Sequence, residues 1–368
     1  MSEAAAPEGP DGRGGGWLSA VTGDAEVAAR LAEPRQIEDM RRVEAAHARA
    51  LGVAGRVPPT VAQAAAEAIA AAEIDTDRLA REAVADGMPV PSLVRQLRAA
   101  APEALRGAVH EGLTSQDVMD SALVLALRDI LALFEDRLSG LEAALAALEG
   151  RHGAAPLMAR TRMQAALPVT VGHRIGQWRR PLAGHRARLA QLRPRLLVLQ
   201  LGGPVGTRGG FGGQGDAIAR EMAAELDLAE PGAAWHSDRS ALAELGGWLS
   251  LLTGSLGKMG HDIALMSQQG VGTVRLSGGG TSSAMGHKAN PVAAEILVTL
   301  ARFCSVQLAG LHLALDHEQE RSGAAWTLEW LILPGMLEAA GAALGHASRL
   351  VGAVEAMGEG AAGGAAGS

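Results

Sequence analysis

Along most of the chain apolar residues return every third or fourth position, the spacing of a helix that buries one face. Ile37, Met40, Val43 and Leu51 make one such stripe, with His47 in register. Pro58-Pro59-Thr60 then stops the chain and restarts it, with Thr60 as the N-cap of a helix over 60–72. Shorter helices over 77–85 and 92–100 complete an N-terminal helical domain, residues 17–105. Beyond it the elements lengthen. The segment 116–149 has no proline and carries Val118, Leu123, Leu125, Ile130, Leu133, Leu138, Leu141, Leu145 and Leu148. As one helix it is roughly 50 Å long at ~1.5 Å per residue. Comparable lengths recur over 169–200, 238–268, 291–319 and 324–354, and Pro181 is expected to kink the second. Helices this long need partners along their whole length, which predicts a long-helix bundle over 106–355 and association with further copies. No fixed internal period marks a repeat array, and no run of ~18 uninterrupted apolar residues marks a membrane span.

Composition sharpens this to an all-α fold. Hydrophobic residues are 48% of the chain but aromatics only 2%, with no tyrosine, so Ala and Leu fill the core. The net charge of -7 and a pI near 5.9 argue against a nucleic-acid binder. The single cysteine, Cys304, excludes an internal disulfide framework and sits in an apolar helical stretch as a packing residue. The Gly- and Ala-rich ends, 1–16 and 356–368, are expected as disordered tails. The first of them has no apolar run behind a basic start, so the expected compartment is the cytoplasm, without membrane partners.

Three stretches break the bundle pattern, each at the start of a long helix. In His110-Glu111-Gly112-Leu113-Thr114-Ser115-Gln116-Asp117, Thr114 and Asp117 have the spacing of a capping box. The same helix start, with two hydroxyls and free N–H groups, also suits a carboxylate ligand, to which His110 is placed to donate. In Arg160-Thr161-Arg162-Met163-Gln164, two arginines with Thr161 and Gln164 form either a solvated basic turn or an anion-binding loop, with Pro168 near the first helical position of the next helix. The third connection, 268–290, holds six glycines and ends Thr281-Ser282-Ser283-Ala284-Met285-Gly286-His287-Lys288-Ala289-Asn290-Pro291. A structureless connection that long in a compact helical protein is usually functional or disordered. Asn290 is the expected cap and Pro291 the helix opener. Glycines permit closure, and serine, lysine and asparagine beside a helix start can handle a carbanion next to a carboxylate.

These three stretches, in this order and spacing across residues 20–335, resemble the signature blocks of the fumarase/aspartase superfamily. The resemblance implies an all-α homotetramer with a shared helical core of long helices and active sites each shared by three subunits. It also implies that a C-terminal domain of longer relatives is largely missing here. It places the catalytic base on Ser282, with Lys288 and Asn290 at substrate carboxylates, and Glu295 on a glutamate that usually orients a catalytic histidine. His110, Thr114, Ser115, Arg160, Thr161, Arg162, Gln164, Ser283, Met285 and Arg321 fall among its substrate-binding positions. No metal and no organic cofactor is implied.

Two positions depart from the pattern. Gly286 replaces the signature proline, which loosens the loop. Arg162 stands where adenylosuccinate lyases carry a histidine acid and carboxymuconate cycloisomerases typically a tryptophan. The run His317-Glu318-Gln319-Glu320-Arg321 with Trp326 and Glu329-Trp330, and the run from Arg195 through Gly202-Gly203-Pro204 to Thr207, are similar to those of bacterial cycloisomerases. The resemblance therefore implies lactonisation of 3-carboxy-cis,cis-muconate in protocatechuate breakdown. A fumarate-releasing lyase, such as an adenylosuccinate lyase, and an inactive scaffold are the competing readings.

Overall fold

The computed structural model describes residues 16–281 and 289–361. Six helices open the chain: α1 (Trp17–Thr22), α2 (Ala25–Leu31), α3 (Glu33–Val53), α4 (Pro59–Ala71), α5 (Thr76–Asp86) and α6 (Val90–Ala100). Then comes α7 (Ser115–His152), a hairpin of β1 (Pro156–Thr161) and β2 (Gln164–Thr170), α8 (Val171–Leu196) and α9 (Gly215–Leu226). The chain continues through α10 (Ser240–Ser267), β3 (Val274–Leu276), β4 (Gly280–Thr281), β5 (Ala289–Asn290), α11 (Val292–Leu313), α12 (Gly323–Gly352) and β6 (Val354–Met357). The all-α expectation holds, with five long helices where the apolar periodicity places them.

Helix ends moved for physical reasons. Thr60 lies inside α4, which opens at Pro59 because a proline at the first position loses no helical hydrogen bond. Pro291 is itself the cap residue of α11, and Asn290 is held in β5 opposite Gly280 instead of capping. The segment containing Arg160 to Pro168 is a β-hairpin, not a loop. Thr161 pairs with Gln164 around a two-residue turn in which Arg162 (φ 48°) and Met163 (φ 68°) are both left-handed, as such turns require. Pro168 therefore sits in β2 opposite Met158, and Thr170 caps α8 by accepting from His173 N–H at 3.2 Å. At the C-terminal end, where a tail is expected from 356, β6 pairs with β3 through Met357, and Glu359 N–H donates to Pro156 O at 2.8 Å.

The seam between α7 and α8 shows how the bundle is held. Leu138, Leu141, Leu145 and Leu148 of α7 share one buried core with Leu182, Leu189 and Leu192 of α8. Outside that seam run Glu135–Arg193 (2.9 Å), Glu142–Arg186 (3.1 Å) and Glu149–Arg179 (2.5 Å). Each pair is one heptad from the next, rising on one helix and falling on the other, which is antiparallel coiled-coil geometry. A second core joins α3, α4, α6 and α9 to the first turns of α7 and to Leu199 and Leu201.

Direction within the bundle is fixed at one end. Asp120, in the second turn of α7, accepts from Arg239 through both carboxylate oxygens (2.6 and 3.0 Å), from Trp326 Nε1 (3.1 Å) and from Gln200 Nε2 (3.2 Å). Arg239 also donates to both oxygens of Glu329. All three ionic groups are buried. Burial alone pushes the guanidinium towards neutrality, and Asp120 and Glu329 more than reverse that, so Arg239 stays charged. Arg239 precedes α10 and Trp326 opens α12, so α7, α10 and α12 start together and α8 and α11 run back. The 38 residues of α7 then separate this near end from the far end by about 55 Å.

By length and composition α11 and α12 are apolar enough to cross a membrane, but 61% of the relevant α12 window is buried inside the protein. The corresponding figure for α11 is 22%. Val292, Phe303, Val306 and Leu313 of α11 are exposed along its length.

Removing Arg239 leaves two buried carboxylates without a counter-charge. Arg239→Ala is expected to lower unfolding stability by about 3–5 kcal/mol. Arg193→Ala, at the half-exposed end of the α7–α8 ladder, is expected to cost about 1 kcal/mol or less. Chemical denaturation of both variants checks the contrast; equal losses would mean that Arg239 is not the tie.

Candidate active site

At the near end the first stretch is organised by one carboxylate. Asp117 is fully buried and accepts four hydrogen bonds. Oδ1 takes Gly202 N–H and His236 Nε2–H, both at 2.8 Å. Oδ2 takes Gly203 N–H at 2.9 Å and Thr114 N–H at 3.0 Å. Thr114 and Asp117 thus form the capping box that their spacing predicts, and the same carboxylate clamps the Gly202–Gly203 turn and His236 against it. Gln116 extends the clamp: its side chain donates to His236 O (2.9 Å) and accepts from Arg321 Nε (3.1 Å). Arg321 in turn donates to Pro204 O at 3.0 Å.

The backbone here needs glycine at two places. Gly112 has φ 74°, and a Cβ on it would meet Phe211 at 2.6 Å. Gly203 has φ 69°, and its Cβ would stand 3.0 Å from Gly112 O. Loop and helix start are therefore packed backbone to backbone. His110, with φ 58°, places its Nδ1 2.5 Å from Glu44 Oε1 of α3.

The near end therefore brings together His110, Thr114, Ser115 and Arg321 of the expected set. It offers the positive end of a 38-residue helix, hydroxyls, a histidine and an arginine, which suit a carboxylate ligand. His317, four residues before Arg321, turns the other way into the core, 3.6 Å from Glu329.

Of the remaining expected residues, Asn290 and Glu295 lie at the far end, and the hairpin that carries four others starts there and folds back, with Met163 beside Gly254 of α10 and Ala301 of α11. Arg160 and Thr161 are on β1, Gln164 on β2, and Arg162 on the turn between them, all exposed. Asn290 is in β5 and Glu295 in the first turn of α11, exposed. Ser282, Ser283, Met285 and Lys288 lie outside the described residues; β4 and β5, which pair on either side of them, put their anchor at the far end. Among the described residues, a single chain does not bring the two sets together.

Sequence reading missed Glu44, Gln116 and His236 as parts of the near-end site. Glu44 lies ~66 positions from His110 in the chain and His236 ~119 from Asp117, and only tertiary contact pairs them. The Gly202-Gly203-Pro204 run between two helices was the one available signal.

A model of the lyase family matches residues 25–306. The chain is 42% identical over 318 residues to 3-carboxy-cis,cis-muconate cycloisomerase of Pseudomonas aeruginosa, covering 84% of this chain and 69% of that protein. It is 32% identical to trans-aconitate decarboxylase 1 of Mycosarcoma maydis, over 90% of this chain and 68% of that one. Among solved structures, the crystal structure of 3-carboxy-cis,cis-muconate lactonizing enzyme from Pseudomonas putida superposes with a TM-score of 0.86 at 37% identity, covering 92% of this chain and 77% of that one. On sequence and helix arrangement alike, this chain belongs to the lyase family of the fumarase/aspartase superfamily.

Proposed function

We propose that this chain closes 3-carboxy-cis,cis-muconate to 4-carboxymuconolactone, acting in the cytoplasm as a homotetramer. The observation that carries the activity is its 42% identity, over 84% of its length, to a relative of that name. The near-end clamp gives this a physical basis, as a built receptor for one carboxylate of a small polyanion.

Distance supports the assembly. Asn290 and Glu295 are separated from the near end by most of the 22 residues of α11, about 30 Å, more than the span of a small tricarboxylate. A working site thus needs the near end of one copy against the far end of others. The apolar stripe of α11 and the exposed hairpin supply surface for that contact, with Leu167 and Met163 both more than two-thirds exposed.

In the reaction, one substrate carboxylate oxygen forms a bond to a double-bond carbon. The displaced electron pair moves to the neighbouring carbon and into its carboxylate as an enediolate. The Ser282 hydroxyl gives its proton to that carbon, and the alkoxide is reprotonated from solvent. Cations near the substrate, Lys288, Arg160, Arg162 and Arg321, lower the energy of the crowded anion. An elimination of the adenylosuccinate type instead needs an acid where Arg162 stands, and a guanidinium holds its proton near neutral pH. Turnover assays with carboxymuconate, adenylosuccinate and trans-aconitate in parallel test the assignment; activity on either of the last two alone overturns it.

Sedimentation at micromolar concentration is expected to show a tetramer, and a stable monomer that turns over substrate refutes the shared site. Mixing Ser282→Ala subunits with Arg321→Ala subunits is expected to restore part of the activity that each lacks alone, since some sites then combine two intact contributions.

Ser282→Ala is expected to lower kcat by at least ~10²-fold, the scale of a lost proton-transfer group, while Ser283→Ala is milder. Reversal of that order would move the base by one position.

Arg162 is expected to bind a carboxylate through its planar fork. Arg162→Lys keeps the charge and loses the fork, so KM rises while part of kcat remains. A collapse of kcat at unchanged KM contradicts the binding role.

A further inference from the structure

Glu44, on α3, is fully buried, and His110 is the one charged or ionisable partner of its carboxylate among the described residues. Its second oxygen, Oε2, has no hydrogen-bond partner there. A buried carboxyl either takes up a proton or is balanced by a cation, and the other groups nearby do not supply that cation. His47, one turn along α3, is buried and its ring is pushed down to about 3, by burial first and then by His110 and Arg56, so it is neutral. Arg56 pairs with Glu111. Arg98 of α6 donates to Val109 O at 3.0 Å. That leaves the His110 ring, with Nδ1 at 2.5 Å.

The backbone tells the same story. His110 is held at φ 58°, a conformation that non-glycine residues adopt at a cost and that clusters at functional sites. The buried Val109 precedes it and the packed Gly112 follows. The ring has 16% of its side-chain surface exposed, and Nε2 has no partner among the described residues. It lies four residues before the helix start that carries Thr114 and Ser115.

We propose that Glu44 is a positioning residue, a buried carboxylate that holds His110 through Nδ1 as a cation and so presents its Nε2–H to a substrate carboxylate. This rests on the near end being a substrate-binding face. A neutral ring bonded to Glu44 through Nδ1–H carries a lone pair at Nε2 and repels a carboxylate; the cation donates from both nitrogens. The charge of Glu44 therefore decides whether His110 attracts or rejects the substrate.

Glu44→Gln keeps an oxygen to accept from Nδ1–H and removes the charge. KM for 3-carboxy-cis,cis-muconate is expected to rise about tenfold, the difference between a charge-assisted and a neutral hydrogen bond, with kcat within about twofold. Glu44→Asp, which restores the charge on a shorter arm, is expected to recover part of the loss. Nitrogen-15 spectra of histidine-labelled wild-type enzyme, with His110→Ala identifying the signal, are expected to show both His110 nitrogens protonated, a readout that needs no Glu44 variant to fold. A lone pair at Nε2 in that spectrum overturns the proposal, as does a wild-type KM in Glu44→Gln. If His110→Ala itself keeps the wild-type KM, the near-end reading fails as well; if His110→Ala is impaired and Glu44→Gln is not, only the role of Glu44 fails.

Discussion

Arg239 buried between Asp120 and Glu329 is the contact on which the arrangement of this protein depends. Three ionised groups lose their water together, and the loss is offset only because both faces of the guanidinium fork meet carboxylate oxygens at 2.6–3.0 Å. Such a triad tolerates little displacement. It fixes the starts of α7, α10 and α12 at one level, and with them the direction in which each helix leaves. Trp326 and Gln200 take the remaining capacity of Asp120, so the chain between α8 and α10 is drawn into the same knot.

One turn before Asp120, Asp117 repeats the device with backbone N–H groups and a histidine as donors. Its four hydrogen bonds come from three separate parts of the chain. The near end is consequently largely buried, with His110, Glu111, Ser115 and Arg321 partly open at its rim. The far end is built the opposite way. A hairpin with both turn residues in left-handed conformation and an almost wholly exposed second strand carries Arg160, Arg162 and Gln164 outward. One end is thus a packed knot of hydrogen bonds and the other an open set of polar side chains, the contrast on which the proposed sharing of sites between copies rests.

Much of this was legible in the sequence, because the information was local. The apolar spacing from Val118 to Leu148 specifies a helix whatever surrounds it, and Thr114 with Asp117 specifies where it starts. The junctions between long helices stood out too, since glycines, hydroxyls and cations at helix starts are unusual in a bundle. Helix ends were less so: Thr60 and Asn290 are good caps in isolation, yet Pro59 opens α4 and strand pairing claims Asn290. Arg160 to Pro168 misled for a related reason. Its alternation is weak and both turn residues are non-glycine, so nothing local signals a hairpin until β1 and β2 meet.

The sequence by itself determined the helices, their lengths and the chemical character of each junction, because those follow from periodicity and capping within a few residues. Only the tertiary structure decided which junctions share an end. The partnership of Glu44 with His110, of Asp117 with Gly202, Gly203 and His236, and of Arg239 with Asp120 and Glu329 joins residues far apart in the chain. Burial makes each of those polar groups demand a partner, and no local pattern names which one it will be.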